Sequence, residues 1–198
     1  YSKIKRRFLI YSRSITTVFG KISLKLNGAK YGSELKIGGH IKIYNAGTIE
    51  IGNKVTINSA MWANPISAAS QTCLQVAGGG GILRIGNGTG ISNSFITCQK
   101  KIEIGNHVLI GANCQIYDTD FHPLESKFRY GDMKDNNWIR RAEVIIEDGV
   151  FIGTRCIILK GTRIGTGSII GAGSVVSGHI PENEIWAGVP ARFIKKAE

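Results

Sequence analysis

Through the second half of the chain the aliphatic positions keep a strict period of six. Ile146, Ile152, Ile158, Ile164, Ile170 and Val176 follow one another at that spacing, and small or β-branched residues (Val150, Cys156, Thr162, Ser168, Ser174) stand four places after the first five. An α-helix turns every 3.6 residues, so a period of six would smear an apolar face around its axis. Hairpin strands would lose their alternation at each turn. One short strand and one corner per repeat satisfies the pattern, which predicts an all-β solenoid. Glycine follows the aliphatic residue at Gly153, Gly165 and Gly171.

Upstream the repeat is less regular. It begins near Ser33 with Leu35, Ile37, Ile41 and Ile43, continues through Ile49-Glu50-Ile51-Gly52-Asn53, and breaks over residues 60–84, where residues 61–72 and the glycines Gly78–Gly81 are expected to bulge out as loops between strands. Ile85-Gly86-Asn87 restores it, and the block from Ile102 to Ile116 is clean. Residues 117–141 form a long polar interruption. Ile116 and Ile146 are thirty residues apart, five sixes, so the solenoid resumes in phase around a protruding loop. Long loops on regular scaffolds commonly carry function.

Residues 1–20 have a different period. Ile4, Phe8, Tyr11, Ile15 and Val18 fall on one helical face and Lys3, Lys5, Arg6, Arg7 and Arg13 on others. This predicts a basic amphipathic helix ahead of a repeat domain spanning 21–198. Such a helix either contacts a membrane peripherally or covers the end of the solenoid or a neighbouring subunit.

Composition narrows the partners. With 25 Lys and Arg against 14 Asp and Glu, the formal charge is +11, which suits a phosphorylated cofactor or an anionic membrane. No helix-turn-helix, zinc finger or aromatic–basic platform is visible, so nucleic acid is not an expected partner. Cys73, Cys98, Cys114 and Cys156 show no paired or metal-ligand spacing. That, with no recognisable secretory signal, makes a cytoplasmic location the expectation.

The aliphatic–Gly–x–x–small–x pattern over 142–181 resembles the hexapeptide-repeat acyltransferases. The resemblance implies a left-handed parallel β-helix, acetyl-CoA as acyl donor, and a homotrimer with sites between adjacent subunits. In the maltose, galactoside and polysaccharide O-acetyltransferase branch, a His-Pro precedes the protruding loop. His122-Pro123 matches it, which implies that His122 is the general base acting on an acceptor hydroxyl. Asp118, Asp120 or, equally well, a backbone carbonyl would hold the ring's other nitrogen.

The ending Ile185–Glu198, with its Gly-Val-Pro-Ala-Arg, is similar to the coenzyme-holding terminus of that family. Carried over by position, Arg192 and Lys195 would meet phosphates. The Ala172 backbone would face the pantetheine arm, and Ser177 would make a further cofactor contact. The Thr154 N–H would stabilise the oxyanion formed as the thioester is attacked. Asn93 and Asp120 are candidates for acceptor binding. The chain departs from the pattern at Gly178, where a basic residue is common, and at Phe151, where tryptophan is frequent.

The resemblance thus implies a saccharide O-acetyltransferase, working on a cell-surface polysaccharide precursor by direct transfer. N-acylation of an amino sugar and a non-catalytic trimeric scaffold are the alternatives. The H-x-x-x-x-H spacing of a metal-dependent relative is absent, so no metal is expected.

Overall fold

A computed structural model describes residues 3–67, 71–78, 80–130 and 136–197, with the backbone alone for residues 3–9, 67 and 136. The chain winds into a parallel β-helix with three faces. The first sheet holds Lys30–Tyr31, Thr48–Ile51, Ile82–Ile85, Lys101–Ile104, Val144–Ile146, Arg163–Ile164 and His179–Ile180. The second holds Lys36–Gly39, Thr56–Ser59, Gly90–Ser92, Leu109–Ile110, Phe151–Ile152, Ile169–Ile170 and Glu184–Gly188, closed by the antiparallel Ala191–Lys196. The third holds Lys42–Asn45, Cys73–Val76, Phe95–Cys98, Gln115–Tyr117, Ile157–Ile158 and Val175–Val176. Each strand pairs with the one a full coil later, so every coil covers its neighbour's edge.

Register makes the six-residue period into a stacked core. Ile37, Ile57, Ile91, Ile110, Ile152 and Ile170 lie on one another along the second sheet, and Ile146, Ile164 and Ile180 do so along the first. All are buried. Each such side chain contributes about 1.5–3 kcal/mol through removal from water.

The first corner is tied by a side-chain ladder. Asn53 N–H donates to Asn87 Oδ1 at 2.7 Å, Asn87 N–H to Asn106 Oδ1 at 2.8 Å, and Asn106 N–H to Asp148 Oδ1 at 2.7 Å. Outside the first sheet, Arg84 bridges Glu50 at 2.9 Å and Glu103 at 3.3 Å.

The strands Cys73–Val76 and Ile82–Ile85 lie on either side of the Gly78–Gly81 run, so the break that begins at residue 60 consists of loops between strands, as expected. Their alternation, Cys-Leu-Gln-Val and Ile-Leu-Arg-Ile, was hidden because the excursion after Ser59 shifts them off the six-residue phase. One expectation needs correction: Asp118 does not face His122. It is fully buried, and its carboxylate accepts the backbone N–H of Gln99 (2.7 Å), Lys100 (2.7 Å) and Lys101 (2.8 Å). It therefore closes the corner one coil back, between the third and first sheets.

The N-terminal helix α1 runs Lys3–Leu26 and lies across the first coil. Side-chain positions expected for Lys3, Ile4, Lys5, Arg6, Arg7 and Phe8 lie outside the described residues.

Candidate active site

The protruding loop leaves the corner between the third and first sheets after Tyr117. Its two limbs meet at Thr119 and Arg141, which form an antiparallel bridge. Thr119 Oγ1 and Arg141 Nε both donate to Gln99 Oε1, at 3.1 and 2.8 Å. Farther out, Phe128 stacks on Trp138 with ring centroids 4.1 Å apart, a small core for the loop itself.

His122 stands just beyond this neck. Its N–H donates to the Asp120 carbonyl at 2.7 Å, and the intervening Phe121 has φ 61°. An i to i+2 bond across a left-handed residue is a γ-turn, rare and strained. Tyr117 holds Phe121 edge-on at 5.1 Å, and Lys160 Nζ lies 2.9 Å from Asp120 Oδ1. Both residues flanking His122 on its N-terminal side are thus held by the coil. The imidazole is exposed, with Asp120, Pro123, Leu124, Arg129 and Tyr130, around a cleft of roughly 400 Å³. An exposed imidazole over an open cleft can reach an acceptor hydroxyl.

The remaining candidates lie elsewhere on the coil. Thr154 and Ala172 stack at the corner between the second and third sheets, where a Cβ added to Gly153 would come 2.6 Å from Ala172 N. Glycine there lets successive coils close into a flat backbone wall. Thr154 Oγ1 turns down to the Ala112 carbonyl at 2.5 Å, and neither the Thr154 nor the Ala172 N–H finds a backbone acceptor among the described residues. Arg192 and Lys195 are exposed on the closing strand, opposite Ala187 and Ile185. Ala187 lies over Gly171, where an added Cβ would come 2.8 Å from the Ala187 Cβ. Arg192 therefore tops the Thr154–Ala172 edge. An exposed edge with amides to offer and cations at its end fits a long, phosphate-bearing thioester.

Ser177 is exposed at the other corner, on the side of Lys160 and the His122 loop. Asn93 is fully buried at the second–third corner, with φ 43°. Within one chain it lies at a different corner from the His122 cleft. One chain therefore does not bring His122 and Thr154 together. Thr154 and Lys160 stand at opposite ends of a third-sheet strand, six residues or up to about 20 Å apart. Lys160 itself was invisible in sequence, because only the fold brings it to Asp120.

Two family models match the chain: a bacterial transferase hexapeptide of six repeats over residues 143–178, and a hexapeptide repeat of succinyl-transferase over 101–116. A galactoside O-acetyltransferase of Lactococcus lactis is 38% identical over 112 residues, 55% of this chain and 51% of that protein. A putative lipopolysaccharide biosynthesis O-acetyl transferase of Escherichia coli, WbbJ, is 35% identical over 108 residues, 51% of this chain and 53% of its own length. The chain thus spans about half the length of the curated relatives it matches. Among solved structures, a hexapeptide-repeat-containing acetyltransferase of Vibrio cholerae in complex with acetyl-coenzyme A is 32% identical, with a TM-score of 0.54 over 65% of this chain and 69% of that one. Repeat, coil and a relative aligned over most of its length agree: the chain belongs to the hexapeptide-repeat acetyltransferases.

Proposed function

We propose that the chain transfers an acetyl group from acetyl-coenzyme A to a saccharide hydroxyl, with His122 as general base. The observation that carries this reading is the His122 γ-turn, which costs backbone strain and sets an exposed imidazole over an open cleft. His122 takes the hydroxyl proton as the acceptor oxygen bonds to the acetyl carbon, and returns it to the departing sulfur. Thr154 N–H would donate to the acetyl oxygen as charge develops there. Ala172 would supply the flat wall for the pantetheine arm, with Ser177, Arg192 and Lys195 as further cofactor contacts.

Because His122 and Thr154 belong to different corners of one chain, the site we propose is shared, one subunit's loop meeting the next subunit's edge in a homotrimer of left-handed coils. Exposed apolar residues flank the Thr154 edge at Leu109 and Phe151 on the second sheet and Phe95 on the third. Such residues suit subunit packing. The relatives' names favour a galactoside or a cell-surface polysaccharide precursor as acceptor, approached through the Asp120 and His122 cleft.

The test is coenzyme A release from acetyl-coenzyme A with a panel of neutral and amino sugars. We expect transfer to a hydroxyl, and a loss of roughly 10²-fold or more in His122→Ala with coenzyme A binding retained by calorimetry. Failure to bind coenzyme A at millimolar concentration would sink the reading. Transfer to amino sugars alone would replace it with N-acylation.

A further inference from the structure

The helix Lys3–Leu26 turns its apolar stripe away from the protein that carries it. It meets the first coil through Arg13, Thr16, Thr17, Gly20 and Leu24. Thr16 and Thr17 Oγ1 donate to the Ile37 carbonyl at 2.7 and 3.1 Å, and Arg13 Nη2 to Asn58 Oδ1 at 3.1 Å. A Cβ on Gly20 would come 2.5 Å from Ile37 Cδ1, and Leu24 is fully buried. At 3.6 residues per turn the opposite side holds Tyr11, Ile15, Val18, Ile22 and Leu26. These are 68%, 56%, 56%, 49% and 81% exposed, with Phe19 beside them.

A helix that only capped the solenoid would turn this stripe inward. Here polar and small residues dock, and the apolar residues face out over about 24 Å. The charge around them is of one sign. Lys21 and Lys25 flank the stripe, Lys3, Lys5, Arg6 and Arg7 precede it in the sequence, and the first acidic residue of the chain is Glu34. No described helix is long and apolar enough to cross a membrane.

We propose that this face lies on an anionic lipid surface, with the Tyr11–Leu26 stripe at the acyl boundary and the lysines among headgroups. The one-sided charge argues for lipid over a second copy of the same face, which would bring like charges together.

The experiment uses the full chain in co-sedimentation with phosphatidylcholine vesicles, with and without about one-third phosphatidylglycerol. Wild type is expected to bind the anionic vesicles, and to bind at least tenfold more weakly without the anionic lipid or in about 1 M salt. Ile15→Glu/Val18→Glu should lose binding by about tenfold or more, keeping its thermal midpoint, its sedimentation coefficient and its transfer to a soluble acceptor. Lys25→Glu, on the exposed flank, should weaken binding to anionic vesicles alone. No vesicle binding by wild type, or equal binding by the double variant, overturns the proposal. A changed sedimentation coefficient in the double variant with vesicle binding intact would assign the face to another copy instead.

Discussion

Lys160 Nζ lies 2.9 Å from Asp120 Oδ1, and the pair joins the base of the His122 loop to the next coil. The side chains are 28% and 19% exposed, so water screens the contact only in part. Asp120 also supplies the carbonyl that receives the His122 backbone N–H, so on the proposed function Lys160 would act as a positioning residue for the imidazole. Its second oxygen, Oδ2, is buried and has no hydrogen-bond partner among the described residues.

Loss of this pair should act on turnover. Lys160→Met is expected to lower kcat by roughly tenfold, because small misplacements of a catalytic group are costly, while KM for acetyl-coenzyme A stays within about twofold. Lys160→Arg should recover most of the loss. Steady-state kinetics on the three proteins check it, and an equal rise in KM would contradict a positioning role.

Asp118 has the opposite character, since it acts on the coil and not on the chemistry. Its buried carboxylate serves three backbone donors of one corner. Beside it burial, reinforced by the carboxylate charge, pushes the Cys98 thiol up to about 12. Asp118→Ala would strand three N–H groups and should destabilise by about 3–5 kcal/mol. Asp118→Asn, which keeps one acceptor, should cost less. Denaturant midpoints measure both, and a loss under about 1 kcal/mol for alanine would contradict this account.

The sequence made the later coils plain, because Ile146, Ile164 and their neighbours repeat without insertion. The earlier coils were harder. Leu74 lies on Ile43 and Ile96, but the excursion after Ser59 separates it from Ile43, and no fixed period spans such a gap. The place of His122 at the neck of the loop was legible from His-Pro. Lys160 and the inward turn of Asp118 were not, since which oxygen meets which donor depends on the coil's closure. The Tyr11–Val18 stripe was readable as apolar, yet only docking geometry shows that it faces outward.

Acid should act on the Asn53–Asp148 ladder from its last rung. The Asn106 backbone N–H, then its side-chain amide, holds the Asp148 carboxyl below its ordinary value of 3.8. A lowered folded-state value means that the stabilisation is complete above the unfolded value and is lost as pH falls through the folded one. Melting temperature should therefore decline as pH drops below about 4. In Asp148→Asn, whose amide oxygen still accepts but does not titrate, that decline should be shallower. Parallel melts from about pH 6 to 2.5 compare them, and identical slopes would remove Asp148 from the acid response.

Gly153 and Gly173 separate steric from conformational reasons for glycine. A Cβ at Gly153 would come 2.6 Å from Ala172 N, 2.8 Å from Ala172 Cα and 2.9 Å from the Ile170 carbonyl oxygen. All three are backbone atoms of the next coil, which cannot yield without opening the stack. At Gly173 a Cβ meets nothing within 4 Å, but φ is +73°. Gly153→Ala should thus cost about 2–4 kcal/mol through overpacking, and Gly173→Ala only about 1–2 kcal/mol of left-handed strain. The first should also disturb the Thr154–Ala172 wall and weaken coenzyme A binding beyond its effect on folding. The second, pointing to open space, should leave affinity within about twofold. Urea titration and calorimetry decide, and a Gly153→Ala protein as stable as Gly173→Ala would show that the coils are less tightly closed than their contacts imply.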